Sequence, residues 1–174
     1  MWKLIKSAVS NEKINELATV CASEFEQSSL IEGGYPGITL KATEPVQFLS
    51  QFMFDTVNYD FSFGTGANYI YAPRNTRLSV HIDKPLYELD EKYCVKPEFD
   101  NRCCVGTVIL GLGGTASIEI VEEEDKKETV SLSAGDVLVL SEATAHQLLP
   151  VDCDLATMLC GFYCSNIQDE QTTV

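Results

Sequence analysis

Residues 67–83 read Ala67-Asn68-Tyr69-Ile70-Tyr71-Ala72-Pro73-Arg74-Asn75-Thr76-Arg77-Leu78-Ser79-Val80-His81-Ile82-Asp83. Aromatic and β-branched residues crowd this run, and the rest of the chain keeps the same character. Segments 103–112, 115–121, 128–133, 136–140 and 155–164 are likewise short and rich in β-branched, aromatic and aliphatic residues. Turn-forming residues separate them: Gly113-Gly114, Glu123-Glu124-Asp125-Lys126, Ala134-Gly135-Asp136 and Pro150-Val151-Asp152. Several short strands at this spacing predict a mainly β domain of α+β type, a β-sandwich or open barrel.

Helices are expected before the strands, packed on one side of them. Residues 10–27 predict a helix capped by Ser10 or Asn11, with Ile14, Leu17, Ala18, Cys21 and Phe25 along one face. Gly33-Gly34-Tyr35-Pro36-Gly37 reads as a turn, and Glu44–Phe54 as a second helix with Pro45 in its first turn. Residues 84–102 form the one long insertion among the strands, a length expected of a functional or mobile loop. The last eight or so residues read as a frayed tail.

At 174 residues the chain is expected to form a single domain, with 1–66 as helical support and 67–164 as the β core. Acidic residues number 26 and basic residues 12, for a net charge of −14. Without a Lys/Arg cluster, that balance excludes a general binder of nucleic-acid backbones. No apolar run approaches the roughly 18–20 residues that span a bilayer. Met1–Lys6 shows no secretory pattern, so a cytoplasmic location is expected. Seven cysteines, an odd number without a C-x-x-C pair, read as reduced thiols. The acidic run Glu122-Glu123-Glu124-Asp125 reads as a solvated hairpin tip.

Only two histidines are present, His81 and His146. Residues two apart on a strand share a face, so His81 and Asp83 can offer an imidazole and a carboxylate to one ion. With 26 acidic residues in 174, about one histidine in seven has an acid two places on by chance. The pair gains weight from its place at a strand end before the long loop, and from His146 just past a Gly-Asp-apolar segment. His81, Asp83 and His146 together make a two-histidine, one-carboxylate facial triad, the usual ligand set of non-haem Fe(II) oxygenases.

From Tyr71 through His81-Ile82-Asp83-Lys84, the sequence resembles the first metal-binding strand of Fe(II)/2-oxoglutarate oxygenases, particularly AlkB-like and prolyl-hydroxylase-like members. Val108–Gly113 resembles their next core strand, and Leu132–Leu140 followed by His146 the segment that brings in the distal histidine. The resemblance covers residues 67–164 in consistent order. It implies a double-stranded β-helix, or jelly roll, with Fe(II) held by His81, Asp83 and His146 and with 2-oxoglutarate as cosubstrate. It also implies that Tyr71 hydrogen-bonds the cosubstrate; apart from the resemblance, Tyr69 and Tyr71 can each donate a hydroxyl hydrogen bond there.

The sequence departs from the family at one position. Such oxygenases place an Arg or Lys beyond the distal histidine to pair with the far carboxylate of 2-oxoglutarate, a task suited to a planar guanidinium. Here the last basic residue is Lys127, and Leu155–Cys164 contains no cation. A substitute would come from Arg77, which shares the strand parity of His81 and Asp83, or from Arg102 or Lys96 before the next strand.

Other chemistries find no support. Gly111-Leu112-Gly113-Gly114 lacks the Lys-Ser/Thr of a phosphate loop, no Ser-His-Asp set can be assembled, and a cupin motif needs more histidines than are present. The expectation is a non-haem Fe(II) dioxygenase, 2-oxoglutarate-dependent, acting on a cationic or neutral small molecule or peptide side chain. The alternatives are an Fe(II) oxidase of the same fold without 2-oxoglutarate, and a non-catalytic metal- or ligand-binding barrel.

Overall fold

The computed structural model describes residues 2–27, 37–40, 44–57, 67–83, 103–122, 126–141 and 144–166. The expected loop over 84–102, with Lys96 and Arg102, lies outside these residues, as do the frayed tail and Gly33–Pro36. In chain order the elements are β1 (Trp2–Ile5), α1 (Asn11–Gln27), β2 (Gly37–Leu40), α2 (Glu44–Val57), β3 (Ala67–Pro73), β4 (Leu78–His81), β5 (Cys103–Gly113), β6 (Thr115–Val121), β7 (Lys127–Ser133), β8 (Val137–Leu140), β9 (Ala145–Leu148) and β10 (Leu155–Asn166).

The strands form two antiparallel sheets, a six-stranded one in the order β1-β8-β5-β10-β3-β2 and a four-stranded one in the order β4-β9-β6-β7. Alternation along the central strands of the larger sheet sorts the core into two layers. Val108, Leu110, Val137, Val139, Leu159 and Tyr69 point to one face, where Ile14, Leu17 and Cys21 of α1 and Leu49 and Met53 of α2 cover them. Ile70, Ile109, Leu138, Leu140, Met158 and Cys160 point to the other, against Ile118, Ile120, Val130, Leu132 and Leu148 of the smaller sheet. The run Val137-Leu138-Val139-Leu140 is apolar throughout because both of its faces are covered. This is the double-stranded β-helix with supporting helices on one side.

Both helices form where expected. Ser10 caps α1, its Oγ accepting from the Lys13 amide at 3.3 Å, and α2 runs on to Val57. The stretch 67–83 is not one strand. Pro73 to Thr76 makes a tight turn, with Asn75 left-handed at φ 70°, and the turn docks on the loop before β10 through Asn75 N to Val151 O and Val151 N to Thr76 O. β6 and β7 pair as neighbours up to Val121 and Lys127, and Glu123–Asp125 of the expected acidic tip lie outside the described residues. Where β5 passes the β7–β8 turn, a side chain at Gly111 would lie 2.2 Å from the Ser133 carbonyl oxygen, so only glycine fits. No helix among the described residues is long and apolar enough to cross a membrane.

Candidate metal centre

His81 ends β4, Asp83 follows two residues later, and His146 lies on β9, the neighbour of β4 in the smaller sheet. The β4–β9 register carries one extra residue. Leu78 pairs with Leu148 and His81 with His146, so β4 bulges between them. Leu78 and His81 therefore both face the barrel, while Ser79 and Val80 are exposed.

The donor atoms of His81, Asp83 and His146 all lie within 4.8 Å of one another. His81 Nε2 is 3.6 Å from Asp83 Oδ1, and His146 Nε2 is 3.4 Å from Asp83 Oδ2. Each imidazole is oriented from behind: Nδ1 of His81 lies 2.7 Å from the Ser79 carbonyl and Nδ1 of His146 3.0 Å from the Thr144 carbonyl. A carbonyl oxygen can only accept, so each Nδ1 donates to it, and each Nε2, the nitrogen left for a metal, is turned toward the carboxylate. Burial pushes the His146 pKa down, keeping the ring neutral as a ligand must be. Side-chain exposure runs from 6% at His146 through 13% at Asp83 to 39% at His81, so the cluster opens to solvent on the β4 side.

Thr107 on β5 donates its hydroxyl to Asp83 Oδ2. It shares the parity of Ile109 and so points into the barrel, a direction that nothing in the residues around it announces in the sequence. Replacing Thr107 with valine keeps the volume and removes the donor. Fe(II) affinity should fall by about 10-fold or more, as loss of an outer-shell partner does, measured by anaerobic titration.

The cluster borders a small recess, part of it open to solvent, whose other walls are Ile70, Leu78, Ile109, Ile118, Leu148, Met158 and Cys160. Burial pushes the Cys160 thiol well up, so it stays neutral. Two imidazoles, a carboxylate and an apolar surround suit a divalent transition metal with open coordination positions.

The residues expected around a cosubstrate are not brought here. Tyr69 and Tyr71 have the opposite parity to Ile70 and lie on the helix-covered face. Phe25 of α1 stacks on Tyr71 at 4.7 Å and meets Tyr69 edge-on at 5.8 Å. Tyr69 also hydrogen-bonds the Thr157 side chain, and burial pushes its hydroxyl up to about 12. Arg77 precedes β4, is exposed and does not line the recess, because the bulge breaks the parity that would have aligned it with His81. Arg102 lies outside the described residues.

The two packed sheets have the fold of solved 2OG-Fe(II) oxygenase structures. Among solved structures, the chain is similar to a Pseudomonas putida prolyl-4-hydroxylase (TM-score 0.65, 14% identity, covering 95% of this chain and 92% of that one). It is similar to the viral collagen prolyl hydroxylase of Paramecium Bursaria Chlorella virus-1 in its 2OG complex (TM-score 0.64, 12% identity, 95% and 96% covered). It is also similar to the non-heme alpha ketoglutarate dependent carbocyclase SnoK from nogalamycin biosynthesis (TM-score 0.65, 11% identity, 97% and 84% covered). At these identities the likeness is one of fold. No family model and no curated protein sequence matches the chain.

Proposed function

We propose that the protein is a non-haem Fe(II) dioxygenase that uses a 2-oxo acid cosubstrate and oxidises a small molecule or a peptide side chain. The observation that carries this reading is the convergence of His81, Asp83 and His146 within 4.8 Å in a fold shared with 2OG-Fe(II) oxygenases. When bound, Fe(II) with a 2-oxo acid supplies activated dioxygen for C–H oxidation. The chain's own residues prepare for it: the two backbone-anchored imidazoles turn Nε2 toward the Asp83 carboxylate, Thr107 fixes that carboxylate, and apolar side chains wall the inner side.

2-Oxoglutarate is the cosubstrate named with these neighbours, and its far carboxylate would need a counter-charge. Among the described residues no Lys or Arg lines the recess. The same observation favours a second reading, an Fe(II) oxidase that takes no 2-oxo acid. The net charge of −14 supports a cationic or neutral substrate over nucleic acid, and the free thiols of Cys21, Cys153 and Cys160 support a reducing, cytoplasmic setting.

Anaerobic addition of Fe(II) and then a 2-oxo acid, either 2-oxoglutarate or 4-methyl-2-oxopentanoate, should raise a visible metal-to-ligand absorption band. The band should vanish in His81→Ala and in Asp83→Ala. Its survival in either variant would rule out this ligand set, and its absence from the Fe(II)-loaded wild type would favour the second reading.

A further inference from the structure

We infer that the recess behind the metal centre seats the uncharged aliphatic tail of a 2-oxo monocarboxylic acid, and not the second carboxylate of 2-oxoglutarate. This presupposes the metal centre proposed above and names the class of molecule that completes it.

The wall opposite the ligands is built by β10 and its neighbours. β10 turns Met158 and Cys160 inward, and Ile70 of β3, Ile109 of β5, Ile118 of β6 and Leu148 of β9 complete the lining. Pairing on both sides pins that orientation: Met158 sits between Ile70 and Gly111, and Cys160 between Asn68 and Ile109. Thr157, the polar residue just before Met158, is held on the opposite face by Tyr69 and cannot serve the recess. A slip of β10 by one residue would exchange its two buried faces and turn Thr157 and Leu159 into the recess, and the ladders to β3 and β5 on either side fix the register against it. Among the described residues, the ionised and imidazole groups at the recess are His81, Asp83 and His146 themselves. A second carboxylate would therefore be desolvated against aliphatic carbon and sulfur without a counter-charge, whereas a branched alkyl group would replace water there favourably.

Calorimetric titration of the Fe(II)-loaded wild-type protein under argon tests this with four ligands: pyruvate, 2-oxobutanoate, 4-methyl-2-oxopentanoate and 2-oxoglutarate. Affinity should rise about fourfold from pyruvate to 2-oxobutanoate, the worth of one buried methylene. 4-Methyl-2-oxopentanoate should bind at least about tenfold tighter than 2-oxoglutarate, with a negative heat-capacity change. Met158→Lys, which puts a cation on the β10 wall, should reverse that order, and if the variant does not fold the wild-type series decides alone. Tighter binding of 2-oxoglutarate by the wild type, or a series flat in tail length, overturns the inference. So does Fe(II) binding with no oxo acid bound, which leaves the metal centre standing. Failure to bind Fe(II) at all removes the metal centre as well.

Discussion

Exchanging His146 for alanine should lower Fe(II) affinity by more than about a hundredfold, beyond the usual loss for an outer-shell partner. His146 is the most buried of the three ligands, and its Nε2 is already aimed by the Thr144 carbonyl, so no rearranged side chain can replace it. Thermal unfolding gives a direct readout. At a metal concentration about 100 times its Kd, the wild type should gain about 2.7 kcal/mol, and the variant at the same concentration essentially nothing. An equal gain in both proteins would show that the metal binds elsewhere. The same residue sets a pH dependence. Burial holds its pKa below the ordinary histidine value of about 6.5. As pH falls below that value the unfolded chain takes up a proton that folded His146 refuses, so metal-free stability and metal affinity should both decline with acid.

The second large effect is expected at Asp136, far from the metal. Its carboxylate is 3% exposed and accepts from the Ser7 amide at 2.9 Å and the Ser133 amide at 2.9 Å, with Lys6 as its ion partner. It thereby fastens the end of β1 to the turn that starts β8. Asp136→Ala should cost about 3 kcal/mol, chiefly through two amides left unpaired. Lys6 is 58% exposed, so the ion pair itself adds little. Asp136→Asn, which keeps one acceptor oxygen, should cost about half as much; denaturant unfolding of both variants measures the difference. Burial raises the Asp136 pKa, but Lys6 and the two amides outweigh it and leave the carboxyl below its ordinary value. With a depressed folded pKa, this contribution is fully present above the ordinary aspartate value near 4 and is lost as pH falls through the folded one.

The strands that alternate or run apolar over five or more residues were legible from sequence: β5, β6, β7 and β10, with both helices. So was the grouping of His81, Asp83 and His146, because histidine is scarce here and its spacing to Asp83 is short. β1, β2 and β9 are four residues each, too short to show a period, and are strands only because a neighbour pairs with them. The turn at Asn75 hid inside a run of strand-forming residues. Tyr69 and Tyr71 show where pattern alone gives out: on a strand buried on both sides, parity separates two faces but does not say which meets the helices and which the metal ligands. Phe25, nearly fifty residues earlier in the chain, settles that question by packing on the tyrosines. The bulge in β4 is equally silent, and it alone moves Arg77 out of line.

β4 is an edge strand of the smaller sheet, four residues long and irregularly paired to β9. His81 and His146 face each other across that one seam, so an ion gripped by both would act as a rivet through the weakest edge of the barrel. Loading should therefore protect the amides of β4 from hydrogen exchange more than those of any other strand, making occupancy of the centre visible as a local stiffening of the rim.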